Sequence, residues 1–221
     1  MTVERSEESA EADRTRGRRE KRRLEAFSDG VFAIAVTLLV LEFKVPSTSG
    51  LPPGGLFEVL RGEWPSYFAY LLSFGTVLIM WVNHHVLLDY IREVDHAFLY
   101  LNGLLLMTIT LVPFPTSLLA RYADQKDAHV AAAVYCGLLT LIAIAFNLVW
   151  WYAAHRNRLL STGHDGGGQA VTRRYMLGPL LYLVATGVAF FSVMTALLIC
   201  VAMALFFALP YRPPGSQSRG G

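Results

Sequence analysis

The chain is 221 residues long, with 54% hydrophobic and only 16% charged residues, and its mean hydropathy is +0.41. A soluble domain carries about 25% charged residues, so a soluble monomer, a disordered segment and a fibrous repeat are all excluded. A disulfide-stapled fold is excluded as well, because there are only two cysteines, Cys136 and Cys200, both inside apolar runs. The remaining class is an all-α, polytopic membrane protein embedded in a lipid bilayer.

A bilayer core needs about 20 mostly apolar residues per helical span. Residues 1–22 form a charged cytoplasmic segment; eight of the 19 basic and seven of the 17 acidic residues lie between Glu4 and Glu25. Residues 23–211 are read as a six-helix transmembrane domain. Its spans run Leu24–Phe43, Ser66–Leu88, Ala97–Leu119 and Ala128–Ala154, and a long apolar block, Tyr175–Tyr211, divides near Phe190–Ser192. If that block were one helix, the chain would have five spans and its ends would lie on opposite sides. Loops fall at Pro46–Gly55 and at the glycine-rich Ser161–Gln169, an amphipathic piece covers Leu56–Trp64, and residues 212–221 are expected to be a disordered tail.

Lysine and arginine set the orientation. With six spans and an inside N-terminus, fifteen of them fall inside and four outside (Lys44, Arg61, Arg121, Lys126). Both termini are therefore expected in the cytoplasm, with the protein a multi-pass component of the cell membrane. A cleaved signal peptide fits poorly: Ser28 and Asp29 stand at the head of the apolar run, and no small-residue cleavage site precedes Lys44.

Polar residues within the spans cluster on the first three, which are expected to form the functional core while the last three face lipid. On the first span Ile34, Leu38 and Leu41 fall at i, i+4 and i+7, with Thr37 beside them. That stripe is either ordinary packing surface or, in four symmetry-related copies, the wall of a pore that ions cross after shedding water. On the second span His85 and Asp89 are an i, i+4 pair of the kind that binds divalent metal, and with His84 they leave open a proton- or metal-coupled transporter. The matching pair that such transporters carry on another helix is missing, since Tyr175–Phe190 has no His, Asp or Glu. The plainer reading has the histidines satisfied by Ser28, Asp29 and Asn102, and Asp29 paired with Arg23. No Walker loop, GxSxG or CxxC occurs, so no enzymatic activity, cofactor or bound metal is expected. The basic N-terminal run is nearly neutralised by acids, which argues against nucleic-acid binding.

The stretch RLEAFSDGVFAIAVTLLVLE, Arg23–Glu42, resembles the RxxxFSD signature that opens the lysosomal potassium-channel family, transmembrane protein 175, and its bacterial homologues. Arg23, Phe27, Ser28 and Asp29 fall at the signature spacing. WVNHH at Trp81–His85 and LNGLLLMTITLVPFPTSLL at Leu101–Leu119 are similar to the helices that follow it. The resemblance implies six helices per subunit, a homotetramer, and a pore lined by the first helix that conducts potassium and other monovalent cations without a TVGYG filter. It also implies a pore-facing isoleucine at Ile34, further layers at Leu38 and Leu41, and ion coordination at Thr37. Arg23, Ser28 and Asp29 would then tie the first helix to the next two through Trp81, His84 or His85, and Asn102. A ring of isoleucines offers no ligands, so weak selectivity is expected, and no span carries the arginine series of a voltage sensor.

Overall fold

The computed structural model describes residues 2–43, 45–47, 52–53, 55–155 and 168–209. These residues form α1 (Thr2–Leu38), a 3-10 turn (Leu39–Glu42), α2 (Gly55–Gly62), α3 (Trp64–Asp89), α4 (His96–Thr110), α5 (Pro113–Tyr122), α6 (Ala128–Ala154), α7 (Gly168–Ala189) and α8 (Val193–Ala208), with no strand among them. Four stretches are long and apolar enough to cross a membrane: Thr15–Glu42, Trp64–Tyr90, His96–Tyr122 and Ala128–Ala154. The tail 212–221 and most of the glycine-rich linker lie outside the described residues.

The charged segment is helical and runs without interruption into the first span. Its Glu, Arg, Lys and Ala content favours helix, and the Arg16–Glu20 and Lys21–Glu25 pairs, at 3.2 and 3.6 Å, brace successive turns. At the far end the α-helix tightens into the 3-10 turn. Phe43 then leaves in extended conformation, its ring seated against Tyr67 and Tyr70 of α3.

The third span, expected as one helix, is two. Pro113 and Pro115 have no N–H to offer the carbonyls of Ile109 and Leu111. Val112 and Phe114 supply those bonds instead from one residue nearer, both at 3.1 Å, and this tighter winding separates α4 from α5. Thr116 fastens the lower piece, donating to the Val112 carbonyl at 2.8 Å and meeting Ser73 Oγ of α3 at 2.7 Å.

The helix most enclosed by its own chain is α6, not a member of the first three. In its most apolar stretch 61% of residues are buried, against 28% for the first span. It packs on α4, α5, α7 and α8, and Ala131, Ala132, Ala145 and Ala153 let those neighbours approach closely. The last apolar block does fold back at Phe190–Ser192. Ser192 caps α8 by accepting from the Thr195 N–H at 3.3 Å. At about 1.5 Å per residue, the 16 residues of α8 fall short of a full bilayer core.

Three polar side chains around α7 and α8 answer to the backbone. Pro179 lies inside α7 and leaves the Tyr175 carbonyl without its helical donor. Asn147 Nδ2 on α6 donates to that oxygen at 2.7 Å. Asn83 Nδ2 donates to the Phe207 carbonyl at 3.2 Å. Arg174 Nη2 donates to the carbonyls of Phe206 and Leu209 at 2.8 and 2.9 Å, so both residues close the frayed end of α8. Asn147→Ala is expected to cost about 1 kcal/mol, and to cost much less when Pro179→Ala returns the missing N–H. Denaturant unfolding of the four proteins of that cycle measures the difference, and equal costs in both backgrounds would show that the amide serves something else.

The candidate pore-lining helix and its polar network

In the membrane portion of α1 the two sides are chemically distinct. Leu24, Ser28, Phe32, Ala35 and Leu39 are buried at steps of four, four, three and four residues, forming one stripe against α3 and α4. The opposite side is uncovered: Ile34 is 60% exposed, Leu38 40% and Leu41 71%, with Thr37 exposed between them. Leu41 stays in line with Leu38 because residues three apart eclipse in a 3-10 turn. Beyond it, Glu42 lines an open polar cleft of about 500 Å³ with Glu63, Arg121 and Asp124.

The buried stripe carries the network. Asn102 of α4 stands between α1 and α3, donating from Nδ2 to Ser28 Oγ at 3.1 Å and meeting His84 Nε2 through Oδ1 at 2.7 Å. An amide oxygen only accepts, so His84 donates from Nε2. All three residues are no more than 1% exposed. One step around the helix, Asp29 Oδ1 accepts from Trp81 Nε1 at 2.8 Å. Asp29 and Trp81 lie at the border with the uncovered side.

Five of the residues expected to join the first three spans, Ser28, Asp29, Trp81, His84 and Asn102, therefore meet. Two do not. Arg23 is exposed and sits six residues before Asp29, about 240° around the helix, and the expected Arg23–Asp29 pair is not among the ion pairs of the described residues. His85 points about 100° away from His84, and its ring lies 6.0 Å from that of Trp81. Phe27 is 64% exposed, on the same side as Ile34. A metal or proton-relay cluster does not assemble either: His84 is sealed against Asn102 while His85 and Asp89 are exposed, and no group of three or more His, Cys, Asp or Glu gathers among the described residues.

Sequence reasoning overlooked Phe32. It is 2% exposed, and its ring lies 5.4 Å from the His84 ring, with Phe146 against the imidazole from another side at 6.4 Å. The signal was there, since Phe32 follows Ser28 by four residues. Without the partner helices, however, it reads as one more apolar residue in an apolar run.

Residues 23–113 match the family described as Endosomal/lysosomal potassium channel TMEM175. A potassium channel of Chamaesiphon minutus is 52% identical over 188 residues, spanning 85% of this chain and 93% of that relative. A potassium channel of Streptomyces collinus is 44% identical, spanning 88% and 94% respectively. The crystal structure of a lysosomal potassium-selective channel TMEM175 homolog from Chamaesiphon minutus superposes with a TM-score of 0.78 at 50% identity, covering 86% of this chain and 96% of that one. Shared identity at this level along nearly the whole of these relatives, together with the superposition of the helices, means that this chain, a multi-pass membrane protein, belongs to the TMEM175 family.

Proposed function

We propose that this protein is a potassium-permeable cation channel of the cell membrane: a homotetramer of six-span subunits with both termini cytoplasmic and α1 lining the axis. The observation that carries this reading is the division of α1. One stripe is consumed by packing and by the Ser28–Asn102–His84 bonds, while Ile34, Thr37, Leu38 and Leu41 are left uncovered by their own chain. The names of the relatives, potassium channels in two bacteria, support it.

In such an assembly the uncovered stripe forms stacked rings. Ile34 contributes no oxygen, so an ion passes that ring only after losing part of its water, and potassium loses water at lower cost than sodium. Thr37 supplies what the alkyl rings lack. Its hydroxyl donates to the Ile34 carbonyl at 2.9 Å, which uses up the proton and leaves the oxygen lone pairs for a passing cation. Binding stays weak enough to release the ion, and discrimination stays modest. A coupled transporter has less support, because its proposed cluster is divided: His84 is closed off by Asn102 and Phe32, while His85 and Asp89 face away from it on the exposed side of α3.

The test is flux together with subunit count on one purified sample. Tetramers reconstituted in liposomes are expected to pass potassium, and Thr37→Val is expected to lower the potassium-to-sodium ratio severalfold while leaving assembly intact. Well-folded tetramers that pass no ions would sink the channel reading. An unchanged ratio in Thr37→Val would remove the threonine from the pathway.

A further inference from the structure

The near-neutral charge of the N-terminal segment conceals a separation along the helix. Residues 2–13 hold five acids and one base, whereas residues 14–23 hold seven bases and one acid. Because α1 is continuous from Thr2 to Leu38, sequence position converts directly into distance from the membrane-embedded part. At about 1.5 Å per residue, Arg22 lies about 3 Å and Arg18 about 9 Å before Leu24, while Asp13 lies about 17 Å and Glu4 about 30 Å before it. Arg18, Arg19, Lys21, Arg22 and Arg23 thus stand within about one Debye length of the bilayer surface, Arg16 and Arg14 follow at about 12 and 15 Å, and the acids of residues 2–13 lie farther out still.

The bases are also sorted around the helix. Arg16 and Lys21 are held by Glu20 and Glu25. Arg18, Arg19, Arg22 and Arg23 fall at i, i+1, i+4 and i+5, which places them on one side. All four are exposed, and none has an acidic partner among the described residues. We infer that this arginine face is a docking surface for the anionic phospholipid headgroups of the leaflet that α1 enters. Guanidinium groups bind phosphate oxygens through paired N–H donors, and each base near an anionic surface strengthens binding about fivefold. Repulsion between that surface and the outer acids holds the first half of the helix upright instead of letting it lie along the membrane. The inference requires only that α1 spans a bilayer, so it stands or falls apart from ion conduction.

The full chain in neutral detergent, titrated with dioctanoyl phosphatidylglycerol and followed by native mass spectrometry and thermal unfolding, provides the test. Dioctanoyl phosphatidylcholine is the neutral control and glycerol phosphate the soluble headgroup. Phosphatidylglycerol is expected to bind and to raise the unfolding temperature, with the effect lost in 1 M salt, and the two controls to do neither. R18Q/R19Q/R22Q is expected to weaken phosphatidylglycerol binding roughly 100-fold, while R16Q/K21Q, which removes the ion-paired bases, retains most of it. Equal binding of both lipids, or full phosphatidylglycerol binding by the triple variant, would overturn the inference. If the triple variant does not fold, the salt and headgroup dependence of the parent decides the matter: stabilisation that survives 1 M salt, or that glycerol phosphate reproduces, overturns it.

Discussion

Ile34→Asn is expected to raise monovalent cation flux about tenfold and to remove most of the preference for potassium over sodium. An isoleucine ring imposes its barrier by stripping water without offering a substitute. An asparagine of similar size brings an amide that holds water and contacts cations, and a barrier lowered by about 1.4 kcal/mol gives a tenfold rate. The substitution is structurally mild because Ile34 is 60% exposed in the subunit and packs into none of the chain's own core. Reversal potentials under opposed potassium and sodium gradients read the selectivity, and tracer flux reads the rate. Unchanged currents in this variant, with altered currents from substitutions on the exposed side of α3 or α6, would move the pore off α1.

Asn102→Leu is expected to have the largest effect on stability, about 2–4 kcal/mol. Leucine fills much of the volume but strands two buried polar groups, the His84 Nε2–H and the Ser28 hydroxyl, each costing about 1–3 kcal/mol without a partner. The variant also removes the polar bridge that α4 makes between α1 and α3, so assembly should weaken along with the thermal midpoint. Ser28→Ala removes a single bond at 3.1 Å and is expected to cost about 1 kcal/mol. In a double-mutant cycle the Ser28 and Asn102 penalties should overlap instead of adding. An Asn102→Leu protein that unfolds at the parent temperature would show that the network orients α1 without stabilising it.

Much of this was legible in the sequence, for identifiable reasons. Of the six spans read from hydropathy, four are long and apolar enough to cross a bilayer, because lipid demands long apolar helices, and the 3.6-residue period placed Ile34, Leu38 and Leu41 on one side before any partner was known. The fold-back at Phe190–Ser192 could be read because Ser192 is a polar capping residue amid aromatics. The break in the third span was foreshadowed by two prolines, yet length alone presented Ala97–Leu119 as one helix. The Arg23–Asp29 pair failed on angle: opposite charges six residues apart look close in text and face apart on a helix. Asn83, Asn147 and Arg174 had no readable role, because their partners are main-chain carbonyls. A residue string does not show which carbonyl a proline or a helix end has left bare. The arginine face was hidden by counting, since a summed charge erases its position along an axis.

The unbroken course of α1 has a mechanical consequence. No proline interrupts the 37 residues from Thr2 to Leu38, so the charged part and the part bearing Ile34 form a single shaft with a common axis. Torque applied to the outer turns reaches the inner ones with little slack. Phe32 and Ser28, keyed into the neighbouring helices, are where any turning of the shaft would be resisted. In the proposed tetramer, a small rotation of this shaft would swing Ile34 away from the axis and bring Thr37 or Gly30 toward it, changing what an ion meets without translating any helix.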